Sequence, residues 1–153
     1  MKKKKIRARY LIGRREQIDF PDLGLEDITA KIDTGAYTTA LHCHNIQERD
    51  GVLYFKLLSA GHPSASDTEH STKEFSQKDI RNSFGETEKR YVIKTRVRFG
   101  RRVVKSAISL TNRGTMRYPV LIGRRLLKNR FVVDVSQLNI SSYRIRADFR
   151  NLQ

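Results

Sequence analysis

The sequence has one cysteine, Cys43, so no disulfide can form within the chain, and this usage fits a reducing compartment. It has no tryptophan, and its 6 Tyr and 7 Phe do not interleave with basic residues as in an RNA-recognition sheet. Long apolar runs are missing as well. Behind the basic start MKKKKIRARY only Leu11 and Ile12 follow Tyr10 before Gly13, whereas a secretory signal needs about 7–15 apolar residues. Nothing approaches the roughly 18 apolar residues of a membrane span. The expectation is a cytoplasmic protein without a membrane partner. No Gly-x-x-x-x-Gly-Lys loop is present to cradle ATP, and no His-Glu-x-x-His to hold zinc. Carboxylates are scarce: 16 Asp and Glu stand against 31 Lys and Arg, a formal net charge of +15. Such a surface attracts polyanions, whether nucleic acid, anionic membrane or an acidic protein segment.

A chain of 153 residues fits one domain. The reading divides it into a basic tail at 1–9 and a single domain at 10–153. Short strand signals follow one another along that domain. Tyr10 to Ile12 is extended, and Phe20 to Gly24 is a turn. Ile28, Ala30 and Ile32 alternate with Thr29 and Lys31, the pattern of a half-buried strand. Val52 to Leu58 follows an Asp-Gly turn, and 59–71 reads as a polar loop. Tyr91 to Phe99 and Val103 to Leu110 form a hairpin about Gly100. Pro119 to Ile122 is a short strand closed by Gly123, Leu126-Leu127 is one helical turn, Phe131 to Val135 is a strand, and Tyr143 to Phe149 alternates to the end. No stretch has sustained helical periodicity, so the expected fold is mainly β, a closed barrel with one short helix. Leu-Ile-Gly-Arg-Arg occurs at 11–15 and again at 121–125, which in an Arg-rich chain reads as coincidence.

The sharpest chemical signal is Ala30-Lys31-Ile32-Asp33-Thr34-Gly35-Ala36. A carboxylate just past an apolar strand projects from a rigid element. Thr34 can fix the loop, and Gly35 lets backbone amides approach and stabilise the ionised form. Two such carboxylates facing each other share a proton, so that one acts as general base on a water and the other as general acid. The plain alternative is ordinary turn chemistry at a strand end. Late in the chain, Val120-Leu121-Ile122-Gly123 supplies a second apolar strand ended by glycine.

Together these two motifs resemble a retropepsin subunit, whose late apolar-apolar-Gly strand packs beside the Asp-Thr-Gly loop. The pattern is closer still to bacterial retropepsin-like proteins labelled ATP-dependent zinc proteases. It resembles theirs at Gly13 to Glu16, Pro21 to Leu25, Ala30 to Ala36, Thr39 to His42, Arg90 to Thr95, Leu110 to Arg113, Leu121 to Arg124 and Phe131 to Asp134. Tyr37 departs from it, standing where Arg is expected. The resemblance implies an acid-protease barrel with Asp33, Thr34 and Gly35 as the catalytic loop and Ala36, Ile122 and Gly123 supporting it. It also implies a flap within Lys73 to Arg90, whose tip falls by position near Asn82, Ser83 and Gly85. Because the chain carries one Asp-Thr-Gly, a homodimer must bring two Asp33 residues together. The bacterial relatives are associated with RimK-type ligases that add glutamates to ribosomal protein tails, which implies an acidic protein or peptide substrate.

Other residues offer rival readings. His42 and His44 share one face if extended, with Cys43 opposite, and with His62 or His70 could hold zinc. The plain alternative is a polar strand end, and no metal or other cofactor is expected. Cys43 is poorly placed for attack assisted by its neighbouring histidines. Asp134 ends a strand without a following Thr-Gly and reads as structural. The clusters Lys2 to Lys5, Arg14-Arg15, Arg101-Arg102 and Arg124-Arg125 suit a solvated face, nucleic-acid binding or attraction of an acidic substrate. The alternatives to a peptidase are thus a non-catalytic module binding RNA or the ribosome, and a zinc-dependent hydrolase.

Overall fold

The computed structural model describes residues 8–59, 61–81, 84–112 and 117–141. Its strands, in chain order, are β1 (Tyr10–Gly13), β2 (Arg15–Phe20), β3 (Leu25–Ile32), β4 (Thr39–Arg49), β5 (Val52–Leu57), β6 (His70–Thr72), β7 (Ser76–Arg81), β8 (Thr87–Phe99), β9 (Arg102–Thr111), β10 (Val120–Ile122) and β11 (Phe131–Asp134). A 3-10 turn at Pro21–Leu23 and one short helix, α1 (Arg124–Leu127), complete the described elements.

Six strands close on themselves. Neighbours run β10, β3, β2, β8, β9, β4, and β4 pairs back with β10. Closure removes the exposed edges that an open sheet would present. β10 is the closing stave, parallel to β3 through Ile122 and Ile32 and antiparallel to β4 through Val120 and Leu41. Outside the ring, β5 and β6 extend from β4, β7 pairs with the first half of β8, and β1 and β11 form a separate parallel ribbon.

The alternation that marks a strand also fills the barrel. Ile28, Ala30 and Ile32 of β3 are buried, as are Ile93, Val97 and Phe99 of β8 and Val104, Ile108 and Leu110 of β9. Turn chemistry is as expected where it matters: Gly24 ends the 3-10 turn at φ +67°, a left-handed backbone that favours glycine. Asp22 in that turn clamps it to β8, accepting from the Arg96 amide at 3.0 Å and from its guanidinium at 2.9 and 2.6 Å. This partner holds the Asp22 carboxyl down at about 2.

Two barrel strands were not among the expected segments. β2 points Glu16, Ile18 and Phe20 inward, so a carboxylate interrupts its apolar set. β4 buries five consecutive residues from Thr39 to Cys43, which hides the alternation. The expected polar loop at 59–71 ends in β6, whose His70 stacks on Phe55. The expected C-terminal strand and the flap residues Asn82 and Ser83 lie outside the described residues. Among the described residues no helix is long and apolar enough to cross a membrane.

Candidate active site

β3 delivers Asp33 to the rim of the barrel, where its amide donates to the Ile122 carbonyl at 2.9 Å. The chain then turns on itself. The Asp33 carbonyl accepts from the Ala36 amide at 3.2 Å, and its Oδ1 accepts from the Gly35 amide at 3.0 Å. Asp33 is half-buried, while Thr34 and Gly35 are exposed. Among the described residues the Gly35 amide is the one hydrogen-bond donor to this carboxylate. Among the described residues no donor reaches the other oxygen.

The end of β10 and the start of α1 hold the loop from the other side. The Arg124 amide donates to the Ala36 carbonyl at 2.8 Å and the Arg125 amide to the Tyr37 carbonyl at 3.0 Å. These amides open a helix and have no partner within it, so they are free to hold the loop. The Arg124 guanidinium donates to the Thr34 carbonyl at 3.0 Å and lies 5.9 Å from the Tyr37 ring centre. Gly123 donates to the Thr39 hydroxyl at 3.1 Å. A side chain at Gly123 would sit 2.5 Å from the Thr38 carbonyl oxygen, so only glycine lets the two backbones pass this closely. The structure therefore brings Asp33, Thr34, Gly35 and Ala36 together with Ile122 and Gly123. Thr39 and Arg124 join them as loop-holding residues. No charge or spacing signal in the sequence singled out Thr39, while Arg124 stood beside the apolar-Gly motif.

The two copies of Leu-Ile-Gly-Arg-Arg occupy corresponding places in the fold. Gly13 pairs with Asp134 across the parallel ribbon, and Arg14 donates to the Gln137 carbonyl at 3.0 Å. A side chain at Gly13 would meet that carbonyl oxygen at 2.4 Å. Both copies of the repeat thus seat an aspartate turn. Asp134 itself caps its turn, accepting from the Ser136 amide at 2.9 Å and hydroxyl at 2.6 Å. These donors pull its carboxyl below the usual carboxylate range.

Glu16 is a buried anchoring residue that the sequence reading left without a role. Its buried carboxylate accepts from the Ile140 amide at 3.1 Å and from the Ser141 amide and hydroxyl at 2.7 and 2.6 Å. It ties residues 140 and 141 to the start of β2. Its position two before Ile18 and four before Phe20 was the available signal.

The remaining candidates separate. His44 Nδ1 is in contact with the Leu58 carbonyl, while His42 is buried and held below its usual pKa by desolvation and by His44. Among the described residues no three His, Cys, Asp or Glu side chains gather as a metal site. Burial pushes the Cys43 thiol up to about 12, so it is a core residue and not a nucleophile. Gly85 is exposed, at φ +79°, in the connection between β7 and β8. A cleft of about 660 Å³ lies between β6 and β7, lined among others by Phe55, Phe75, Lys78, Ile93 and Arg125. Asp33 does not line it, but Arg125 links it to the loop through Tyr37.

Comparison with known proteins agrees with this geometry. A Shewanella pealeana protein described as a probable alpha-L-glutamate ligase is 34% identical over 133 residues, which are 84% of this chain and 29% of that protein. A Desulfotalea psychrophila protein of the same description is 32% identical over 83% of this chain and 28% of its own length. The chain thus spans under a third of the length of these relatives. The crystal structure of a Legionella pneumophila protein of unknown function superposes with a TM-score of 0.69 at 25% identity, covering 88% of this chain and all of that one. Residues 11–143 match the RimB-like family, described as retropepsin-like aspartic endopeptidase RimB, and the chain belongs to that family.

Proposed function

We propose that the protein is an aspartic peptidase, cytoplasmic and folded as one domain over residues 10–153, in which Asp33 residues from two copies form the catalytic pair. The observation that carries this reading is the Asp33 carboxylate itself: rigidly seated, partly exposed, and bonded within the described residues by a single backbone amide. A structural aspartate in the same kind of turn, Asp134, is bonded by an amide and a hydroxyl. One ionised Asp33 removes a proton from a water, whose oxygen attacks the peptide carbonyl carbon. The protonated partner's Asp33 supplies the proton that the departing amine needs. Thr34 and Gly35 shape the turn, and Ala36, Ile122 and Gly123 fix it against the barrel. The β7–β8 hairpin, with Gly85 in its connection, is the flap that covers bound peptide.

The preferred substrate is an acidic protein tail. Lys31, Arg124 and Arg125 are exposed on either side of the Asp33 loop, and the whole chain carries +15. Two relatives are described as probable glutamate ligases, which fits a partner reaction on glutamate-rich segments. Cleavage of a Glu-rich and a neutral peptide across ionic strength tests this. The Glu-rich peptide should be favoured at low salt and lose its advantage as the Debye length falls from about 10 Å at 0.1 M to about 3 Å at 1 M. Equal cleavage at every salt concentration would assign the basic surface to nucleic acid instead. For the peptidase reading, Asp33→Asn should abolish cleavage with little change in thermal stability, and a chelator should have no effect. Normal cleavage by this variant, stopped by the chelator, would establish a zinc hydrolase.

A further inference from the structure

A second pocket lies at the other end of β10 from Gly123. Pro119, which precedes this strand, lines it, and Gly123 follows the strand. At roughly 3.3 Å per strand residue the two ends are about 13 Å apart. The pocket has a volume of about 360 Å³ and is also lined by Arg15, Thr29, His42, Ser59, His62, Arg117 and Tyr118. Among the described residues no carboxylate lines it. A neighbouring groove of about 400 Å³ shares Arg15, Arg117 and Tyr118 and adds Arg14 and Lys31, again without a described carboxylate.

His42 makes this more than a basic patch. His42 is 3% exposed, and among the described residues its Nδ1 has no hydrogen-bond partner. A buried polar atom left unpaired is costly and uncommon, and a bound group that pairs with it explains its retention. Other groups on the wall are also open to a ligand. His62 Nδ1 accepts from the Ser64 amide at 3.0 Å, which leaves its Nε2 hydrogen to donate. Arg15 reaches the Tyr118 hydroxyl at 3.5 Å with one nitrogen and keeps its remaining donors. The hydrogen bond from Arg15, with the nearby charges of Arg117 and Lys31, draws the Tyr118 phenol below its usual pKa.

We propose that this pocket binds a phosphate group, held by Arg15 and Arg117, with His42 and His62 beneath it. The donor count favours phosphate over a carboxylate. Two guanidinium forks, two imidazoles, the Tyr118 phenol and the hydroxyls of Thr29 and Ser59 exceed what two carboxylate oxygens can accept, whereas a phosphate offers up to four oxygens. The site does not depend on the peptidase reading, since no residue of the Asp33 loop lines it.

The test follows the histidine ring nitrogens by NMR while inorganic phosphate is added at constant ionic strength. The His42 and His62 signals should move saturably, and those of His70, in the cleft between β6 and β7, should stay still. Arg117→Gln should weaken the midpoint about tenfold, as expected for loss of a charge-assisted hydrogen bond. Arg101→Gln, which removes the same charge from the exposed β8–β9 turn, should leave it unchanged. A phosphomonoester and a phosphodiester then distinguish the source. Movement with the diester identifies a nucleic-acid backbone as ligand, and movement with phosphate and monoester alone identifies a phosphorylated small molecule or side chain. The proposal is overturned if His42 does not respond to phosphate, if acetate moves it equally, or if Arg101→Gln weakens binding as much as Arg117→Gln.

Discussion

At the end of β3, Asp33 accepts the amide of the residue two ahead and its carbonyl accepts from the residue three ahead; at the end of β11, Asp134 does the same. Each turn is seated by one copy of Leu-Ile-Gly-Arg-Arg, and each glycine of the repeat passes a backbone too closely for a side chain. The two turns differ at the second residue after the aspartate. Ser136 places a hydroxyl 2.6 Å from Asp134 and adds to its amide bond, whereas Gly35 has only its amide to give Asp33. One frame is thus used twice, once with an amide and a hydroxyl on the carboxylate and once, among the described residues, with the amide alone. In the proposed peptidase, that missing hydroxyl is what leaves Asp33 available to a reacting group.

Exchanging the aspartates is the strongest way to break this comparison. Asp33→Asn should lower peptide cleavage by about 10²–10⁴-fold or more, and Asp134→Asn should leave kcat near wild type while lowering stability. A peptidase assay with parallel urea melts reads both. The glycines come next. Gly123→Ala and Gly13→Ala each force a side chain against a carbonyl oxygen, at 2.5 and 2.4 Å, and should each cost about 1–3 kcal/mol in urea unfolding. Only Gly123→Ala should also reduce kcat, because it displaces the Asp33 loop. A smaller effect tests the key difference directly. Gly35→Ser should give Asp33 the hydroxyl donor that Asp134 has, occupy its carboxylate and slow cleavage about tenfold. The smallest effect lies far from either turn. The folded-state pKa of Asp22 is depressed from 3.8 to about 2, so its stabilisation is present above pH 3.8 and disappears as pH falls towards 2. Asp22→Asn should flatten thermal stability across that window, and near neutral pH should cost only about 1 kcal/mol because the pair is exposed.

Much of this frame could be read from the sequence because alternation and turn residues are local. Ile28, Ala30 and Ile32 announced β3, and the Gly100 turn announced the β8–β9 hairpin. The Asp-Thr-Gly and the apolar-apolar-Gly pair pointed to two segments that meet at a 2.9 Å hydrogen bond. What stayed hidden depends on long-range contacts. Glu16 looked like an ordinary charge until residues 140 and 141 closed on it. Thr39 to Cys43 lacked alternation because several elements pack on them at once, with β9 and β10 flanking the strand. That the repeat at 11–15 and 121–125 seats two aspartate turns shows only in the contacts of both copies.

In the proposed mechanism Asp33 works in a pair contributed by two chains. Mixing wild-type protein with the Asp33→Asn variant in varied proportion, at constant total concentration and after subunits have exchanged, tests it most directly. If both carboxylates of the pair must be aspartate, peptidase activity should fall as the square of the wild-type fraction, because only wild-type pairs cleave. A linear fall would mean that each chain acts alone and would contradict the shared site.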